Sequence, residues 1–339
     1  MNVFFHADDF GINLGQSQRI LECAERGVLN SLSIMANSPH FEACARLLDA
    51  APHHLKRAVH VNLVEGPCCV EPASIPLLAG EDGVFNRSFV DLLRMSLGRD
   101  HDELRRQVAL EAAAQISKVT DRFPALAQGL RVDGHQHFQL IPAVFEGILD
   151  AIWKGGYALE YLRVPVEPVR VFMRRDVLFS IRLVNWIKRL VLGWCWGRDR
   201  RLARSLVGSG HPRSCDGRSA LFCGVLFSGE MSAERVCAVF PAYASLARRR
   251  GLDIELLFHP GGEPDAASCL NPKMEDFVAF YQSSGRGVEH DALMGLRLDP
   301  PGPDGLPTLH SPFVQYAANG FGRYRRRYRF PARHKERTA

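Results

Sequence analysis

The sequence predicts an α/β fold built on a parallel sheet, and three observations predict it. Short apolar runs of strand length alternate with segments of helical periodicity. Polar residues able to do chemistry fall late in those apolar runs or directly after them. The chain has 339 residues, 46% of them hydrophobic and 23% charged, which is ordinary for a folded protein and enough for a large core. Such alternation leaves two architectures open, an α/β barrel and an open doubly wound sheet.

The elements follow in order. Residues 2–7 read as a first buried strand. Residues 16–26 then read as a helix, with Ile20, Leu21 and Cys23 on its apolar side. Residues 30–36 are a second strand, and 41–51 are helical, with Phe41, Ala45, Leu48 and Ala51 near helical spacing. Residues 57–63 are a third strand, followed by a loop over 66–84 that is rich in Pro and Gly. Residues 102–122 form a helix with Leu104, Val108, Ala112 and Ile116 four apart on one side. Strand four covers 130–138, a helix 143–153, and strand five 161–166, stopped by Pro165 and Pro168. A long helix over 232–249 and a late strand over 253–258 complete the pattern.

The chemistry-bearing residues share a position in this scheme. Asp8 and Asp9 follow strand one and His60 lies late in strand three. Asp133, His135 and His137 lie late in strand four, Arg163 late in strand five, and His259 after the late strand. Parallel sheets collect such groups at the carboxyl ends of their strands. In an extended strand, Asp133, His135 and His137 share one face, and two imidazoles at i and i+2 are a metal-ligand spacing. A carboxylate nearby can orient one ring through its second nitrogen. The bland alternative is a solvated polar face.

Asp8 and Asp9 are adjacent, so on a regular strand they point opposite ways. Both reach one site only if the chain bends, which Gly11 allows. Two carboxylates can then divide their labour, one on a metal and one taking a proton from water. The alternative is a plain turn or helix cap. One Asp with two His makes an open site for a single divalent ion. Imidazoles favour zinc, while magnesium, nickel, cobalt and manganese remain open. His259 can protonate a leaving group, or be a structural histidine at a turn.

Five motifs occur in order: 7–11 (Ala-Asp-Asp-Phe-Gly), 30–37 (Asn-Ser-Leu-Ser-Ile-Met-Ala-Asn), 60–66 (His-Val-Asn-Leu-Val-Glu-Gly), 133–137 (Asp-Gly-His-Gln-His) and 257–261 (Leu-Phe-His-Pro-Gly). Together they resemble the YdjC-like carbohydrate deacetylases over about residues 2–165 and 250–295. That resemblance implies a distorted (β/α) barrel related to polysaccharide deacetylases, and metal-dependent removal of an N-acetyl group from an amino sugar. It implies Asp9, His60 and His135 as metal ligands, Asp8 as general base and His259 as general acid. It also implies an arginine, Arg163, that orients the base or binds substrate. The family often has a third histidine where Gln136 stands, a position expected to point away from the site. Residues 73–85 and 163–168 look more like a hopanoid-associated branch, whose expected substrate is an N-acetylglucosaminyl lipid.

The resemblance frames the chain as one deacetylase domain over 1–322 with a helical insertion at about 170–225. A basic tail follows over 323–339, with eight Lys/Arg and one Glu. In 177–206, Phe179, Trp186, Trp194 and Trp196 interleave with Arg182, Lys188, Arg189, Arg198 and Arg200. That mixture suits peripheral contact with a membrane, together with the tail, or equally a helical subdomain with buried tryptophans. The net charge of +5 and the tail do not amount to a nucleic-acid signature, and no nucleic-acid partner is expected. Nine cysteines without a C-x-x-C pair, and a start without a signal-peptide pattern, lead to an expected cytoplasmic location, peripheral at the inner membrane surface if 177–206 meets lipid. Two other functions stay open: a deformylase or other metal-dependent amidohydrolase, and a non-catalytic sugar- or lipid-binding protein.

Overall fold

Seven strands form the main sheet: β1 (Val3–Phe10), β2 (Ser31–Met35), β3 (Lys56–Val61), β4 (Leu130–Gly134), β5 (Leu159–Leu162), β6 (Ala220–Cys223) and β7 (Asp253–Phe258). The structure is a computed structural model that describes residues 1–52, 54–208, 220–261, 270, 275–312 and 314. The strand order is β5-β4-β3-β2-β1-β7-β6, and every neighbouring pair is parallel. The helices are crossovers between strands: α1 (Leu14–Arg26), α2 (Phe41–Leu47), α3 (Phe89–Leu97), α4 (His101–Arg122), α5 (Pro142–Lys154), α6 (Arg175–Leu178), α7 (Leu183–Gly208) and α8 (Ala233–Arg250). Then come α9 (Glu275–Tyr281), α10 (Gly285–Gly295) and an antiparallel pair, β8 (Arg297–Asp299) with β9 (Thr308–His310).

Local chemistry explains the helix ends. Asn13 caps α1 by accepting from the Gln16 N–H at 2.8 Å. Ser88 and Asp91 make a reciprocal capping box on α3. Ser232 caps α8, which ends on Gly251 in the left-handed conformation. The expected apolar side of α4 is real: Leu104, Val108, Ala112 and Ile116 are all buried.

The sheet is curled into a half-barrel, with β5 and β6 as its edges. The side chains measure the curl. β5 and β7 are five strand steps apart, or about 24 Å across a flat sheet. Yet Arg163, just after β5, donates to Glu255 of β7 at 2.9 Å, and the Tyr161 hydroxyl donates to the same carboxylate. Only an inward-curving sheet brings these ends into contact. The concave interior is therefore polar: His6, Asp8, Asp133, Arg163 and Glu255 are each 2% exposed or less.

Several expected boundaries shift. β1 runs to Phe10, so Asp8 and Asp9 lie inside the strand rather than after it. β4 ends at Gly134, and His135–Leu140 is a 3-10 turn. Gln136 and His137 there have φ of +50° and +62°. His135 and His137 therefore do not share a strand face, because the left-handed backbone breaks the two-residue period. Residues 220–223, inside the stretch read as inserted, form β6 of the sheet. Its four residues are too short to show a period. The tail over 323–339 lies outside the described residues.

α7 packs only one of its sides. Asn185, Leu192, Cys195 and Ala203 are buried, and Trp196 sets its ring edge-on to Phe145. Its other described side chains leave Leu183, Val184, Ile187, Leu190 and Trp194 exposed beside Lys188, Arg198 and Arg200. Fourteen large apolar side chains stand exposed among the described residues, and seven belong to 173–194: Met173, Phe179, Leu183, Val184, Ile187, Leu190 and Trp194. No described helix is long and apolar enough to cross a membrane.

Gly11 turns the chain out of β1 at φ +102°, where a Cβ would stand 2.9 Å from the Met35 carbonyl oxygen. Gly11→Ala is expected to lower the unfolding free energy by about 2 kcal/mol. A chemical-denaturation midpoint equal to wild type would contradict that strain.

Candidate active site

The site is assembled where the strands end. β1 pairs with β2 regularly up to Ala7, and the register then shifts before Phe10. Asp9 sits in that irregularity with φ +69°, a left-handed conformation that a short Asp tolerates. The twist lets both neighbouring carboxylates face the interior, which a regular strand forbids. The bend thus lies at Asp9 itself as well as at Gly11.

Asp9, His60 and His135 come together. Asp9 Oδ1 lies 3.0 Å from His135 Nδ1 and 3.5 Å from His60 Nε2. The two ring nitrogens are 3.1 Å apart. Ligands at about 2.1 Å from an ion, spread over 90–110°, stand roughly 3.0–3.4 Å from each other. The three atoms fit one divalent ion on this measure, and they form a buried group able to hold one. Each imidazole is backed by a carboxylate on its outer nitrogen. Asp133 Oδ1 lies 2.6 Å from His60 Nδ1, and Glu65 Oε1 lies 2.5 Å from His135 Nε2. Carboxylate–imidazole pairs of this kind fix ring orientation and strengthen the ligand.

Charge explains the protonation. Burial alone would lower both histidines. The neighbouring carboxylates outweigh it, Asp8 and Asp133 raising His60 to about 10, and Glu65 and Asp9 raising His135 to about 9. The pocket is acidic and holds protons on the rings when no other cation is present.

Beside it lies a second layer. Arg163 is fully buried and reaches three carboxylates: Asp8 Oδ2 at 2.8 Å, Asp133 Oδ2 at 2.9 Å and Glu255 Oε1 at 2.7 Å. Burial would raise the Asp8 carboxyl, but Arg163, then His60 and His6, hold it well below the usual carboxylate range. Asp8 is therefore ionised and fixed. His6 joins this layer, its Nε2 3.3 Å from both Asp8 and Asp133. His6, Asp133 and Glu255 also form a group that could surround an ion, but the Arg163 guanidinium already supplies the cation there.

His259 stands on the open side. It is half-buried, with Nε2 4.0 Å from Asp8 Oδ2 and its ring edge-on to Phe280. Glu289 of α10 holds it twice, through the His259 N–H at 2.5 Å and near Nδ1 at 3.5 Å. His137 sits against Phe222 instead of joining Asp9, His60 and His135, and burial lowers it to about 3. Gln136 is exposed, so it does point away.

All six expected residues thus lie in one region, and several partners went unread. Glu65 sits inside one of the five motifs but five residues past His60, where no strand period links them. His6 lies two residues before Asp8 on the inward face of β1, a period-two signal the sequence did contain. Tyr281, Arg286 and Glu289 fall in 281–289, where Arg286 and Glu289 share a helix face at i and i+3. Tyr281 donates to Glu65 at 2.6 Å.

A family model described as "YdjC-like protein" matches residues 2–299. A "Carbohydrate deacetylase" of Listeria monocytogenes serovar 1/2a is 34% identical over 121 residues, 36% of this chain and 46% of that relative. The chain therefore spans about half the length of such relatives. A human "Carbohydrate deacetylase" is 28% identical over 342 residues, covering 93% of this chain and 97% of the relative. Among solved structures, a putative cellobiose-phosphate cleavage protein of Enterococcus faecalis V583 superposes with a TM-score of 0.55. It is 17% identical and covers 86% of this chain and 90% of its own, a likeness of fold.

Loading an ion must displace protons from raised imidazoles. At 3.1 Å the two inner nitrogens cannot both present N–H to each other, so one to two protons should leave per ion at pH 7. Apparent affinity should then rise with pH until about 9–10 and fall below that. Calorimetry of zinc loading in buffers of different ionisation enthalpy reads this directly. No proton release would be inconsistent with these three ligands.

Proposed function

This chain belongs to the YdjC-like family, and from that premise we propose that it is a carbohydrate deacetylase. It would hydrolyse the N-acetyl group of an N-acetylglucosamine-containing substrate with one divalent ion. The observation that carries the reading is the triad of Asp9, His60 and His135, each ring backed by its own carboxylate. The donor set of two imidazoles and one carboxylate favours zinc, with magnesium, nickel, cobalt and manganese as the other candidates.

An ion held there supplies Lewis acidity, activating water and polarising the acyl group. The side chains do the rest. Asp8, kept ionised by Arg163, takes the proton of the attacking water. The Arg163 guanidinium is taken up by Asp8, Asp133 and Glu255, so its part is to orient Asp8. His259, across a 4.0 Å gap from Asp8, donates a proton to the amine nitrogen as the C–N bond breaks. The products are acetate and a free amino sugar. Glu289 keeps the His259 ring turned to that task.

His135→Ala should lose bound metal and acetate release together, with kcat down at least 1000-fold. Acetate release at the wild-type rate would remove His135 from the ligand set. Formate release in place of acetate would transfer the same site to a deformylase.

The finer reading of substrate is a lipid-linked one, the glucosaminyl hopanoid that the branch resemblance implies, with peripheral membrane contact through 177–206. It is supported by the apolar exposed side of α7, flanked by exposed Arg182, Arg198 and Arg200. α7 also packs beside the turn that carries His135. A cytoplasmic enzyme peripheral at the inner membrane surface is the corresponding location. Wild-type protein should co-sediment with phosphatidylglycerol vesicles, and Leu183→Ser with Leu190→Ser should weaken that at least tenfold. Equal sedimentation of the double variant would exclude this face.

A further inference from the structure

The site contains a cation that neither the ligand triad nor the proton transfers use. Arg286 lies in the first turn of α10 and is 3% exposed. Its Nη2 stands 3.6 Å from Asp9 Oδ2. Its Nε, Nη1 and Nη2 find no hydrogen-bond partner among the described residues, and neither does Asp9 Oδ2. The guanidinium lies against the rings of Tyr281 at 4.8 Å and Phe280 at 5.7 Å.

Its backbone is also tied to the site. The Gly261 N–H donates to the Arg286 carbonyl at 3.0 Å. A Cβ on Gly261 would come within 2.8 Å of Arg286 Cβ and 2.9 Å of Nε. Only glycine lets the segment after His259 close onto α10 this tightly.

A guanidinium does not lose its proton, and its five N–H groups need acceptors. Burying such a cation without them is strongly unfavourable. Asp9 balances part of the charge, and the two rings add attraction through their faces. Neither satisfies the N–H groups. Asp9 meanwhile faces two ways: Oδ1 towards His60 and His135, Oδ2 towards Arg286. The unmet donors therefore begin one carboxylate away from the Asp9, His60 and His135 triad.

We propose that Arg286 binds the acyl oxygen of the substrate and, after reaction, the carboxylate of the released acid. The proposal deepens the deacetylase reading and rests on it. When water adds to the acyl carbon, the C=O π pair moves onto the oxygen, and Arg286 meets the charge that forms there. The pair returns as the C–N bond breaks, and the amine leaves with the proton from His259. The acid product then gives the second proton of the attacking water to solvent and is a carboxylate at neutral pH, so acetate is a natural ligand of this arginine.

The test uses the metal-loaded full chain with Arg286→Gln, Arg286→Lys and Arg286→Ala. Acetate binding is measured by calorimetry, which needs no turnover, beside kcat, KM and bound metal on N-acetylglucosamine oligomers. Arg286→Gln should keep its metal, lose about 100-fold in kcat/KM, and bind acetate at least tenfold more weakly. Arg286→Lys should fall between, and methylguanidinium should restore part of the Arg286→Ala rate, which a purely structural role would not give. Wild-type acetate affinity in a metal-loaded Arg286→Gln would overturn the proposal. So would parallel loss of metal and rate without rescue, which would make Arg286 a support for Asp9 alone. A wild-type chain that binds acetate but releases none from any N-acetyl sugar would instead fail the deacetylase reading.

Discussion

The contact on which the rest depends is the Arg163 guanidinium held among Asp8, Asp133 and Glu255. These carboxylates come from β1, β4 and β7, and Arg163 itself follows β5. One buried cation thus joins four strands across the concave side of the sheet. Three carboxylates this close would repel each other and draw protons without it. With it, Asp8 stays charged and Asp133 stays free to orient His60. The curl of the sheet and the protonation of the site have the same cause.

From that hub the site reads outward in layers. Asp133 passes orientation to His60, and Glu65 does the same for His135 from the opposite side. Glu65 also accepts from Tyr281 and from the Leu270 N–H, so His135 is coupled through it to the C-terminal part of the chain. Glu289 holds His259 in a parallel way. His60, His135 and His259 are each steered by a buried carboxylate behind them, and Asp8 by the buried Arg163.

Much of this was legible in the sequence, for physical reasons that differ by residue. Asp8, His60, Arg163 and His259 could be placed because parallel strands deliver their last residues to one rim. β7 matches the expected 253–258 residue for residue, since Ile254, Leu256, Leu257 and Phe258 make a strand-length apolar stretch that ends in His-Pro-Gly. The grouping of His135 with His137 misled, because period two holds only while the backbone stays extended, and two left-handed residues end it. β6 and α3 were missed because they are short and carry little pattern. Glu65, Tyr281 and Arg286 were missed because their importance lies in long-range contacts. A lone Glu between Val64 and Gly66 gives no sign that it will meet an imidazole 70 residues away.

The left-handed backbone at Asp9 narrows what evolution can write there. That conformation costs least for glycine and little for asparagine and aspartate, although this chain also takes it at Gln136 and His137. The fold disfavours β-branched and most bulky residues there, and of the residues it accepts cheaply aspartate is the one with a short carboxylate. Drift at residue 9 is costly, because a substitution either strains the turn or loses the short carboxylate that the turn aims inward.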